Sequence, residues 1–106
     1  MVMEIKNAII TNTQITEHQG CLTIWINLDY GDSSGQSFGG YALFQPKYPE
    51  NCIAGKWIWE IMHVVGVSEW SLLKGKVIRV MVKDTQSAII AIGHIVNDNW
   101  FNPKEL

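Results

Sequence analysis

Cysteine, charge and long apolar runs are all scarce in this sequence of 106 residues. The two cysteines, Cys21 and Cys52, form no C-x-x-C pair, and no second pair completes a tetrahedral zinc set. Charged residues make up only 17% of the chain and leave a formal net charge of −2. A nucleic-acid backbone binder usually carries a clustered basic excess, which this balance excludes. No apolar run approaches the roughly 20 residues that a membrane-crossing helix needs. The opening MVMEIKN has no basic stretch followed by an apolar one, so no secretory signal is expected. Two reduced thiols in a cytoplasm follow as the expectation, with a Cys21–Cys52 bridge as the alternative.

Catalytic signatures are equally thin. There is no G-x-S-x-G elbow to expose a nucleophilic serine. A Walker A loop fails twice, because Trp57 follows Gly55-Lys56 and Glu50 stands where the first glycine belongs. Gly31, Gly35 and Gly39 recur every four residues, which is not the dinucleotide-binding spacing. Glu60 and His63 form one E-x-x-H pair, whereas a di-metal bundle needs two pairs and further glutamates. Asp29 and Asp32 flank a turn whose chemistry accounts for both. The expectation is a protein that is not an enzyme and needs no cofactor or metal.

What the chain does have is apolar content (47%) arranged with changing period. That suffices for a folded core at this length, and no repeat or linker divides residues 1–106, so a single domain is expected. Residues 3–15, rich in Ile and Thr, read as a strand. Residues 17–20 read as a turn. In the next segment Leu22, Ile24, Ile26, Leu28 and Tyr30 alternate with Thr23, Trp25, Asn27 and Asp29, which predicts a strand with one buried face. A Gly/Asp/Ser turn over 31–35 leads to a third strand over 36–44, interrupted by Gly39-Gly40. After a proline-containing loop the apolar spacing becomes helical over 54–65, with Gly66 as C-cap. Ser68 is expected to cap a short helical turn over 69–73. Strands over 76–84 and 87–96 follow, separated by a turn at 84–87, and residues 97–106 read as a polar tail. The order βββ-αα-ββ predicts an α+β fold, an antiparallel five-stranded sheet, open or barrel-like, with one main helix packed on it.

Several residues are candidates for binding a ligand. Phe38 and Tyr41 flank Gly39 and Gly40, so two rings adjoin backbone that a ligand can approach closely. A base could stack there, and a bulged strand with its rings in the core or on a partner chain is the plainer reading. Lys56 falls at the start of the helix, where free N–H groups favour an anion, although most such helix ends meet only water. Trp57 and Trp59 are two apart and cannot share a helix face, so one of them should leave the core for solvent, a ligand or another subunit. Five tryptophans in so short a chain favour an oligomer.

Three motifs in order carry a resemblance across nearly the whole chain. They are F-G-G-Y-A-L at Phe38 to Leu43, G-V-x-x-W-x-x-L-x-G-K at Gly66 to Lys76, and I-G-H-I-x-x-D-x-W-F at Ile92 to Phe101. Together they resemble small phage and prophage proteins similar to the first-described Thoeris anti-defence sponges. Those proteins bind cyclic ADP-ribose isomers made by bacterial TIR enzymes and silence the defence without cleaving the signal. The resemblance implies a phage protein in the cytoplasm of the infected host, a homo-oligomer with nucleotide pockets at subunit interfaces, and in some members cyclic oligonucleotides as further ligands. It implies no nucleic acid polymer and no membrane as partner.

A nucleotide signal needs aromatic platforms and phosphate donors. With that ligand in view, Phe38, Tyr41, Trp57 and Trp100 are the platforms, Gly39 and Gly40 the close-approach backbone, and Lys56, Arg79, His94 and Asn99 the donors. For His94 the plainer reading is a strand-end polar group satisfied by backbone. The chain departs from the family pattern in its short 45–53 loop and in Asn99, where a basic residue is expected. The competing functions are a protein–protein inhibitor of a host defence complex such as CRISPR, and a small nucleotide hydrolase.

Overall fold

The alternation of Leu22 to Tyr30 sets the sheet, because it gives one strand a wholly apolar face on which the rest condenses. The computed structural model describes residues 3–84 and 87–106. Thr85 and Gln86, in the turn expected between the last two predicted strands, lie outside the described residues. Six strands form one antiparallel sheet: β1 (Glu4–His18), β2 (Cys21–Asp29), β3 (Gly35–Gly39), β4 (Val77–Val82), β5 (Ile89–Gly93) and β6 (Trp100–Phe101), in the order β3-β2-β1-β4-β5-β6. The helix α1 (Ala54–Val65) covers one face. The α+β fold expected from the sequence is therefore the one observed, with an open sheet.

The sheet curls until its outer edges meet across the core. Phe38 of β3 and Phe101 of β6 have ring centroids 6.0 Å apart, although their strands sit at opposite edges. The Gln36 side-chain amide also donates to the Ser87 carbonyl at 2.7 Å, tying β3 to the approach to β5. Trp57 plugs the space between. It is 1% exposed, stacks on Phe38 at 5.5 Å and meets Phe101 edge-on at 5.1 Å. Ile24, Ile26, Ile61, Ile78, Val80 and Ile92 complete the floor and roof of this core. Trp59 takes the opposite helix face and is 62% exposed, stacked on His63. The pair two residues apart is thus divided between core and surface, as helical geometry demands.

The larger differences from the sequence reading of strand ends fall in four places, each with a local cause. β1 runs on to His18, because hairpin pairing with β2 continues to the tight turn at Gln19-Gly20. β3 stops at Gly39, since Gly39 and Gly40 have φ of 126° and 81°, and pairing resumes only as a single bridge between Leu22 and Phe44. β5 stops at Gly93, because the His94 ring captures the N–H groups of Val96 and Asn97 and bends the chain. The supposed tail then returns as β6, a two-residue strand too short to show a period. Ser68 caps nothing: the short 3-10 turn is Trp70–Leu72, entered through extended Glu69 with no side-chain cap.

Two turn expectations are met locally. Gly66 closes α1 in the left-handed conformation with φ of 88°. Asp29 and Asp32 serve the turn, accepting the N–H groups of Gly31 at 2.8 Å and Ser34 at 3.1 Å. The Ser34 hydroxyl, also donating to Asp32, holds that carboxyl below its ordinary range. Cys21 and Cys52 are free thiols. Among the described residues, no helix is long and apolar enough to cross a membrane.

Candidate functional site

β1 is long enough to pair with β4 over its first half and with β2 over its second. Its far end, hairpinned to β2, therefore projects past β4. On the face turned away from α1, β2 presents Cys21, Thr23 and Trp25 along this projecting part, following the period of two. The edge of β2 is then covered by the interrupted strand. Gly40 donates to the Ile24 carbonyl at 3.0 Å and Leu43 to the Leu22 carbonyl at 2.8 Å, so residues 40–42 arch outward between two anchors.

A groove of about 200 Å³ lies under that arch, lined by His18, Gln19, Cys21, Thr23, Trp25, Gly40, Tyr41 and Ala42. Both glycines are needed to make it. A Cβ on Gly39 would overlap the Ile24 carbonyl oxygen, and one on Gly40 would overlap the Trp25 ring. The close approach expected at the double glycine is thus real, and the group that approaches Gly40 is Trp25. Tyr41, 40% exposed, bridges the groove and the core, its ring 5.2 Å from Trp57. Gln45 donates to the Cys21 sulfur at 3.1 Å and holds it at the groove wall. Thr23 is only 4% exposed, and its Oγ1 has no hydrogen-bond partner among the described residues. Leaving a buried hydroxyl unpaired costs about 1–3 kcal/mol, and this one is sealed from solvent although its residue lines the groove.

The other sequence candidates separate into three groups. Phe38 and Trp57 are core residues whose rings are occupied by each other and by Phe101, which leaves no free face for stacking. The plainer reading of a bulged strand with its ring in the core holds for Phe38. Lys56 is exposed in the first turn of α1 and lines none of the groove. Arg79, His94, Asn99 and Trp100 do come together, at the β5–β6 corner, but they serve one another. Arg79 stacks on Trp100 at 4.9 Å and donates from Nε to the His94 carbonyl at 2.7 Å and from Nη2 to the Asn97 carbonyl at 2.8 Å. His94 Nδ1 accepts the N–H groups of Val96 and Asn97 at 3.1 and 3.0 Å, so it carries no proton and the ring is the Nε2–H tautomer. Asn99 accepts from the His94 N–H through its carbonyl at 3.0 Å, and Trp100 donates to Asp98 at 3.0 Å. The strand-end reading of His94 therefore describes it.

Sequence reasoning missed Thr23, Trp25, Cys21 and His18. A signal was present: a tryptophan on the nominally wet face of an alternating strand needs a cover, and the nearest flexible cover is the double glycine. No known protein-family model, no curated protein and no solved structure matches the chain.

Proposed function

We propose that this protein binds a small cyclic nucleotide signal reversibly and acts by sequestering it, without cleaving it. The observation that carries this reading is the groove beside the double glycine, whose lining includes Trp25 and Tyr41 and no Lys, Arg, Asp or Glu. A small groove with aromatic and neutral polar residues in its lining suits a heterocyclic ligand. Sequestration works by mass action: the binder must be abundant, bind more tightly than the effector does, and release slowly. In the setting that the resemblance implies, the ligand is a cyclic ADP-ribose isomer or a cyclic oligonucleotide in the cytoplasm of an infected bacterium. The protein is then a phage-encoded homo-oligomer that blocks Thoeris-type immunity. The exposed apolar pair Ile9 and Val77, directly opposite on β1 and β4, with exposed Ile5 further along the same face of β1, supports self-association.

Exposed Trp59, stacked on His63 on the outer face of α1, favours a second reading in which the protein inhibits a host defence complex by direct contact. One experiment separates the readings. The protein is mixed with purified cyclic ADP-ribose isomers, freed of excess ligand by gel filtration, denatured, and its small molecules are weighed by mass spectrometry. Intact ligand in near-stoichiometric amount is the expected result. A converted product would make the protein a hydrolase, and an empty protein would leave only the inhibitor.

A further inference from the structure

The half of β1 that projects past β4 is an open sheet edge. Pairing with β4 ends at Ile9 opposite Val77, and the last backbone bonds on that side join Ile10 to Gly75 and Lys76. Pairing with β2 runs on to His18 opposite Cys21. The direction of that pairing fixes which groups are left over. Leu22 donates its N–H to Phe44 and accepts from Leu43, and the Ile24 carbonyl accepts from Gly40, so both residues aim away from β1. Their partners across the ladder, Glu17 and Ile15, therefore aim N–H and C=O away from β2 in turn, and Thr13 follows by the period of two. Among the described residues these groups meet no backbone partner. The Glu17 carbonyl has only the Thr16 hydroxyl, at 3.4 Å.

Open edges are usually blunted by shortness, proline, lysine or a cover. The end strands of the sheet follow that rule: β6 has 2 residues, and β3 stops after 5 at the double glycine. Residues 12–18 (NTQITEH) do not, having no proline, no lysine and Glu17 as their sole carboxylate. Ile15 lies opposite buried Ile24, on the core side of the sheet, yet is 51% exposed. The strand is also complementary to itself. Turned about a twofold axis that is normal to the sheet and passes beside Ile15, a second copy sets Ile15 against Ile15 and Glu17 against Thr13, and all of these aim their backbone groups at the edge. Glu17 then faces no like charge and lies in line with exposed Lys76, which sits beside Ile10. The two Ile15 side chains cover each other near Trp70, which donates to the Thr13 hydroxyl at 3.0 Å. We infer that a second copy of this chain completes the sheet here, β1 antiparallel to β1 with Ile15 at the twofold axis. This surface is separate from the Ile9–Val77 pair and independent of what the groove binds.

The test follows the full chain by sedimentation velocity between about 1 µM and about 1 mM, with amide hydrogen exchange at both ends of that range. The expected result is a concentration-dependent dimer in which the Thr13, Ile15 and Glu17 amides exchange at least about tenfold more slowly than in the dilute monomer. Ile15→Pro deletes a donor aimed at the second copy and none aimed at β2, and Ile15→Lys sets two ammonium groups face to face. Each should weaken the dimer at least about tenfold. Glu17→Lys should weaken it about threefold, and adding Lys76→Glu to the same chain should restore it. Should Ile15→Pro lose the circular dichroism of the folded protein, Ile15→Lys, at an exposed side chain, decides the matter. The inference is overturned by a monomer throughout the range, by a dimer that Ile15→Lys leaves unchanged, or by a dimer in which these amides stay unprotected while Val77→Lys dissociates it.

Discussion

Two places in this sheet lay a tryptophan flat against a glycine, and they differ in what surrounds the ring. At one edge Trp25 covers Gly40, and at the other Trp100 covers Gly93. Around Trp100 the named polar groups are answered within the corner: Arg79 Nε and Nη2 meet two carbonyls, His94 Nδ1 meets two N–H groups, and the indole N–H meets Asp98. Around Trp25 there is a groove, and the Thr23 hydroxyl in it has no partner among the described residues. The same residue types thus build a filled corner in one case and border a groove in the other. What tells them apart is the polar group left over.

The largest way to break this comparison is to fill the glycines. Gly39→Ala adds a Cβ against the Ile24 carbonyl in a backbone with φ of 126°, so the β2–β3 edge must part. A loss of about 2–5 kcal/mol is expected from overpacking and backbone strain together, read as a lower urea midpoint. Gly93→Ala meets the Trp100 ring at 2.5 Å in a backbone without positive φ, and should cost less, about 1–3 kcal/mol.

Next in size is Arg79→Met. It takes the guanidinium donors from the His94 and Asn97 carbonyls, the latter keeping the Asn99 N–H at 2.9 Å, and removes the stack on Trp100, for a loss of about 1–3 kcal/mol. Because the corner is structural, cyclic ADP-ribose affinity should stay within about twofold of the unaltered protein. Thr23→Val has the opposite signature. Replacing an unpaired buried hydroxyl by a methyl of similar shape should raise stability by up to about 1 kcal/mol, read as a higher urea midpoint. A protein in which Thr23→Val destabilises and Arg79→Met abolishes binding would reverse the assignment of the two regions.

Much of this was legible in the chain. The period of two in β2 and the helical period from Ala54 to Val65 named the core, and the Trp57/Trp59 spacing divided the two rings correctly. The double glycine marked a break in β3. What the sequence did not reveal was partnership. Arg79 and His94 are polar residues near aromatics, which is how a ligand site reads in one dimension. Only the turn at residues 94–99, created by side-chain to backbone hydrogen bonds, shows that their capacity is spent on the fold. Conversely, Thr23 looks like any wet-face strand threonine, yet in the fold it is buried. β6 escaped because two residues carry no period, and its pairing with β5 depends on that same turn.

The smallest expected effect lies away from both regions, at the end of β2. Burial, then Asp32, then Glu4 push the Tyr30 phenol above its ordinary value of 10.0. The folded state thus holds this proton more tightly than the unfolded state does. The contribution is fully present below pH 10 and is lost as pH rises through the higher folded value, where the phenolate can no longer donate to Gln36. Tyr30→Phe should therefore flatten the alkaline limb of the stability curve and leave the groove's affinity at neutral pH unchanged.

The most direct measurement is a backbone amide NMR titration with cyclic ADP-ribose, which observes both tryptophan–glycine sites in one sample. Saturable shifts should cluster on residues 18–25 and 39–42, while residues 93–100 stay still. Shifts centred on residues 93–100, with the arch and the projecting hairpin unmoved, would contradict the assignment of the groove as the binding site.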